Sequence, residues 1–162
     1  MHFYVLPILF LLGACAYIEQ EENDYEVDRT INAKLISNGV KYRPHIHSMG
    51  GSVMTENGLL SVDGIDFETW LEINADELSV IPYSDYMQVV IEGQNTLIRE
   101  ERNNPQYFGE MRLIQLLPDM FSDGMANVSI PEEHGVYLVY VILTWMHGKE
   151  GFTSCFVFKV MK

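Results

Sequence analysis

Val136 to Met161 reads V-Y-L-V-Y-V-I-L-T-W-M-H-G-K-E-G-F-T-S-C-F-V-F-K-V-M, two long apolar runs around a polar turn. His147-Gly148-Lys149-Glu150-Gly151 supplies the turn chemistry, so Val136–Met146 and Phe152–Met161 are predicted to pair as a long hairpin that closes the fold. In the first run, Tyr137, Val139, Val141, Leu143 and Trp145 share one face of a strand. Val136, Leu138, Tyr140, Ile142 and Met146 share the other, where Thr144 is the lone polar residue. A sandwich strand ordinarily wets one of its faces. Here both need cover, from the rest of the chain or from a partner, which makes Leu138, Tyr140 and Ile142 a candidate binding face.

Upstream of the hairpin, Pro131-Glu132-Glu133-His134-Gly135-Val136-Tyr137 resembles the approach to the penultimate strand of immunoglobulin-like domains. There a tyrosine just inside the strand hydrogen-bonds back across the corner, and Tyr137 is placed to do so. Thr30–Ile36 alternates with period two, Asn38-Gly39 is a strong two-residue hairpin signal, and Val40–His47 returns as an expected edge strand because Pro44 lacks an N–H. Short runs at Ser52–Thr55, Leu59–Val62, Leu78–Ile81, Met87–Glu92 and Thr96–Glu100 follow, several separated by glycine-containing turns. Phe67, Trp70 and Leu71 fall at helical spacing behind a cap at Asp66, which predicts one short helix. Periodicity leaves Tyr107–Leu117 open between helix and strand. Many short strands at this spacing predict an all-β, immunoglobulin-like sandwich.

The chain has 162 residues, 48% of them apolar and 20% charged, enough for one folded domain. Its formal net charge of −13 argues against nucleic acid, which requires a basic surface to displace counterions, and against electrostatic adhesion to anionic lipid. Two cysteines do not make a disulfide scaffold.

Phe3–Leu12 is an unbroken apolar run of ten residues, too short to span a bilayer as a helix and suited to the core of a signal peptide. Leu12-Gly13-Ala14-Cys15 resembles the bacterial lipobox, in which cleavage precedes the cysteine and its thiol carries lipid. This divides the chain into a signal peptide (residues 1–14), a lipid-anchor site at Cys15 with an acidic spacer (15–29), and a sandwich domain (30–162). The expected location is the extracytoplasmic face of the cell membrane. Glu19–Asp28 holds six acids and no base, a self-repelling spacer. Alternatives are cleavage after Ala16 with release of a secreted protein, a buried N-terminal element, and an uncleaved anchor. The usual basic residues ahead of the apolar run are missing; only His2 and the terminal amine precede it.

The closing segment also resembles that of small secreted lipoproteins from Gram-positive, bacillus-type bacteria. Pro131, Gly135, Tyr137, Trp145, Gly148, Gly151, Phe158 and Val160 carry the likeness over about 30 residues, together with the lipobox. It implies the fold and carries no activity with it; an envelope protein is the expected partner beside the membrane itself.

For chemistry, His45-Ile46-His47 sets two imidazoles on one side of a strand, about 6.6 Å apart at their Cα atoms, a spacing used by metal sites on sheets. Met49, Met54, His134, His147, Asp63, Asp66 and Cys155 are possible further ligands, the sulfurs favouring copper over zinc. Lys41 and Arg43 on the same face oppose a cation. Asp119–Gly124 has too few oxygens for a calcium loop and reads as a solvated turn. Cys155, near Lys159, has no obvious activating setting, and its pairing with Cys15 would exclude lipidation. No nucleophile elbow, zinc-hydrolase helix, phosphate loop or nucleotide fingerprint is present, and Gly50-Gly51 reads as a turn or bulge. The expectation is therefore a cofactor-free, non-catalytic binding or accessory protein of the envelope. Metal handling through His45 and His47 is the alternative, and a hydrolase with a dispersed site comes third.

Overall fold

The structure is a computed structural model, described here for residues 32–56, 58–93, 96–100, 106–147 and 150–162. The two apolar runs form β11 (Val136–His147) and β12 (Glu150–Met161), antiparallel in continuous register from Val136↔Met161 to His147↔Glu150. Around them build β1 (Asn32–Ser37), β2 (Val40–Tyr42), β3 (His45–Thr55), β4 (Gly58–Asp63), β5 (Val80–Pro82), β6 (Met87–Glu92), β7 (Thr96–Arg99), β8 (Tyr107–Phe108), β9 (Met111–Gln115) and β10 (Met125–Asn127). The one α-helix among the described residues, α1, spans Phe67–Asn74.

The strands make two packed sheets, an all-β sandwich. The smaller has the order β10-β6-β1-β2 and the larger β4-β3-β12-β11-β9-β8. In the larger sheet each long strand is flanked by two shorter ones in series. β3 and then β5 run along β12, and β7 and then β9 along β11. The β5–β12 and β9–β11 pairs are parallel. Asn38 (φ 49°) and Gly39 (φ 77°) make the predicted tight turn between β1 and β2. The expected strand Val40–His47 is divided. β2 is an edge of the small sheet, the chain crosses at Arg43-Pro44, and β3 enters the large sheet between β4 and β12. β4 pairs β3 only from Gly50 onward, so His45 and His47 have β12 as their strand partner and lie at the local edge of the large sheet, as expected. Tyr107–Leu117 resolves as the short antiparallel pair β8–β9.

The alternation on β11 places each face in its own core. Tyr137, Val139, Val141, Leu143 and Trp145 point between the sheets, against Ala33 and Leu35 of β1, Met87 and Val89 of β6, and Phe156, Phe158 and Val160 of β12. Leu138, Tyr140 and Ile142 point outward with Cys155 and Val157, and α1 covers them with Phe67, Trp70 and Leu71, joined by Leu78. Burying one such side chain is worth about 1.5–3 kcal/mol, which draws the apolar side of this eight-residue helix onto the second face. The expected binding face is corrected by this result. Leu138, Tyr140 and Ile142 are 0%, 1% and 1% exposed and are covered by the chain's own helix.

The start of β11 is pinned by a tyrosine corner. The Tyr137 hydroxyl donates to the Glu133 carbonyl at 2.6 Å. The pinning continues at the chain end, where Gly135 and Lys162 exchange backbone hydrogen bonds of 3.2 and 3.0 Å.

Candidate functional site

The helix that seals the outer core is held at both ends. Asp66 caps its first turn, accepting from the Thr69 N–H at 2.9 Å and the Thr69 hydroxyl at 2.7 Å. Those two bonds, the backbone one first, hold the Asp66 carboxyl below its ordinary range. At the far end, Lys159 of β12 donates to the Ala75 carbonyl at 2.8 Å, a cation on the negative end of the helix.

His45 and His47 belong to this seal. The Nε2 of His45 accepts the Ser79 N–H at 3.1 Å and ties the segment after α1 to β3. His47 is 2% exposed and stacks on Trp70 at 5.2 Å and on Phe67 at 6.2 Å between ring centroids. Its Nε2 is buried without a hydrogen-bond partner, so the ring's bond to the Ile65 carbonyl belongs to Nδ1. Burial lowers the imidazole pKa, against the opposing pull of that carbonyl and of Asp66.

Among the described residues the structure brings no three-ligand set together around the two histidines expected to bind metal. His45 spends its lone pair on Ser79. Of the possible further ligands, Met49 and Cys155 pack in the outer core, Asp66 caps the helix and His134 is exposed. The side chains of Met54 and His147 lie outside the described residues. Asp119 and Asp123 are exposed around a turn in which Asp123 (φ 50°) and Gly124 (φ 74°) are left-handed, consistent with a solvated loop. Cys15, the apolar run and the acidic spacer also lie outside the described residues. No described helix is long and apolar enough to cross a membrane.

Beyond α1 the same outer face of the large sheet changes character. Beyond the N-terminal end of the helix, an open cleft of about 380 Å³ is lined by Met49, Gly50, Gly51, Ser52, Ser61, Asp63, Arg99, Thr144, Gly151 and Thr153. Register explains the assembly. Asp63 of β4, Gly50 of β3, Thr153 of β12 and Thr144 of β11 lie in one row across four strands. Ser61, Ser52 and Gly151 form the next row. Thr144 and Thr153 share a 2.9 Å hydroxyl–hydroxyl bond. At Met49 the ladder slips, since Thr153 pairs with Gly50 while Ser154 pairs with Ser48, so Gly50-Gly51 follows a bulge within β3. Gly50 has φ 141°, a conformation open to glycine and strained for other residues. The Gly64 N–H donates to the Met49 carbonyl at 3.0 Å and fixes Asp63 beside the bulge. On the opposite side, Arg99 faces the same way as its register partner Ile142, and Gln115 holds the Arg99 carbonyl at 3.1 Å. Asp63 and Arg99 are both exposed, and among the described residues neither is in an ion pair.

The cleft is the arrangement best suited to a small ligand. It has opposite charges on opposite walls, hydroxyls between them, and a floor kept low by glycines. A second hollow, about 490 Å³, lies on the small sheet by Gly39, Asp85, Tyr86, Gln88 and Asn127. There the Gln88 amide is already spent on Asn127 at 2.9 Å. Arg99, Thr144, Thr153 and Gly151 sit in no sequence motif that marks them as site residues, although Thr144 is the lone polar residue on its face of β11. Against known proteins, the chain matches no family model, no curated sequence and no solved structure.

Proposed function

We propose that this chain is a non-catalytic binding protein, held at the extracytoplasmic face of the cell membrane by lipid on Cys15, and that the polar cleft is where it meets its ligand. The observation that carries the binding half is the convergence of Asp63, Arg99 and four hydroxyl side chains on one glycine-floored cleft. Ligand sites place a few convergent polar groups in a concavity of about 300–1,000 Å³, and this cleft falls within that range. Binding is favoured over hydrolysis because neither imidazole nor thiol stands among the described lining residues to activate a hydroxyl. The anchoring half is supported by the apolar run and the Leu12-Gly13-Ala14-Cys15 pattern, followed by an acidic stretch suited to a spacer.

Mass spectrometry of the purified N-terminus tests the anchor. The expected species begins at Cys15 and carries the added mass of acyl chains, and Cys15→Ser moves the protein out of the membrane fraction. An intact Met1 with unmodified Cys15 overturns the anchoring half and leaves the cleft to be judged by binding.

A further inference from the structure

We propose that the cleft takes a short peptide with both termini free, its ammonium toward Asp63 and its carboxylate toward Arg99. This rests on the cleft being the binding site and names what binds there.

The walls set the length. Asp63 on β4 and Arg99 on β7 stand on strands separated by β3, β12 and β11, four strand spacings or about 19 Å. Side chains stand roughly perpendicular to a sheet, so the two charges keep about that separation. Allowing about 3 Å for each ion contact leaves about 13 Å, and extended chain covers ~3.3–3.6 Å per residue, so about three to four residues fit between the two walls.

Charge decides the class. The protein carries a formal net charge of −13, so a free anion approaching Arg99 is repelled by the whole field. A simple cation is drawn to every acidic surface alike. A zwitterion has no net charge to repel, and it gains at both walls once its dipole is aligned. The hydroxyls of Ser52, Ser61, Thr144 and Thr153 supply donors and acceptors for the peptide amides between the ends. Sugars fit less well, because no aromatic ring stands among the described lining residues to stack on a sugar face. The low glycine floor favours a flat, extended guest over a bulky one.

The test is isothermal titration of the detergent-solubilised full chain with tri-alanine, N-acetyl-tri-alanine, tri-alanine amide and maltotriose. Tri-alanine is expected to bind, and each cap to weaken binding about tenfold or more, as loss of a charge-assisted hydrogen bond does. Asp63→Asn should weaken tri-alanine while leaving the acetylated peptide unchanged, and Arg99→Gln should weaken tri-alanine while leaving the amide unchanged. Near-ultraviolet circular dichroism confirms that both exposed-site variants stay folded. Equal affinity for capped and free peptides overturns the proposal. Silence with tri-alanine alongside maltotriose binding that Arg99→Gln removes overturns the peptide and leaves the cleft as a site. Silence with all four probes in the folded chain overturns both.

Discussion

The imidazole of His47 lies flat against the indole of Trp70, centroids 5.2 Å apart, beneath a helix that covers the outer core. This stack carries a pH dependence whose sign is fixed by burial. The folded-state pKa of His47 lies below its ordinary value of 6.5, so the unfolded chain binds the extra proton first. His47 therefore adds no penalty above about pH 6.5, and stability falls as pH drops from there through the lower folded pKa. Urea midpoints followed by tryptophan fluorescence at pH 7.5 and pH 5.5 should show the loss, and His47→Phe, which keeps an uncharged ring in the stack, should reduce it. Asp66 has its carboxyl held low and its contribution persists until the pH falls below the ordinary carboxylate range near 3.8. An equal loss in His47→Phe would assign the effect elsewhere.

Leu138 and Ile142 separate a core from an interaction surface. If the outer face of β11 is sealed as described, Leu138→Ala costs about 2–5 kcal/mol in urea denaturation. Ile142→Lys buries an unpaired ammonium and should fail to fold. A folded Ile142→Lys protein with near-native stability would mean that α1 leaves the face open in solution.

The Tyr137 corner predicts a small, specific loss. Tyr137→Phe removes the hydroxyl that donates to the Glu133 carbonyl and keeps the ring in the core. Because Glu133 is exposed and its carbonyl can rehydrate, the expected cost is about 0.5–1.5 kcal/mol. Thermal or urea denaturation reads it. No change would make the corner incidental to stability.

Gly64 holds β4 against the bulge. A Cβ there would lie 2.4 Å from the Ser48 carbonyl oxygen and 2.8 Å from the Met49 carbonyl carbon, both backbone. Gly64→Ala should cost about 1–3 kcal/mol and displace Asp63 from the cleft, weakening tri-alanine binding along with stability. Asp63→Asn, by contrast, should alter binding with stability within about 0.5 kcal/mol. Unchanged stability in Gly64→Ala would show that β4 can shift without cost.

What the sequence made legible was local. Asn38-Gly39 declared its turn because both positions take positive φ, and Asp66 declared the helix start through its bond to Thr69. The hairpin was readable from alternation alone, and Tyr137 from its position after Pro131 and Gly135. Pairing across long separations was not. The parallel contacts of β9 with β11 and β5 with β12 leave no periodic trace, and nothing in Val40–His47 except Pro44 marked the crossing between sheets. The doubly apolar β11 correctly demanded cover on both sides, but amphipathicity is silent on which element supplies it. The cleft was hidden for the same reason. Asp63, Gly50, Thr153 and Thr144 become neighbours only when four strands fall into register. For His45 and His47, i, i+2 spacing fixes a shared face, not what that face packs against.

The ligand site is tested most directly by amide chemical shifts of the ¹⁵N-labelled chain during titration with tri-alanine. The amides of Gly50, Gly51 and Gly151 are expected to move together and saturably, while those of Gly39 and Gly124, on the small-sheet side, hold still. Shifts at Gly39 with the three cleft glycines unmoved, or no saturable shift anywhere, would contradict that site.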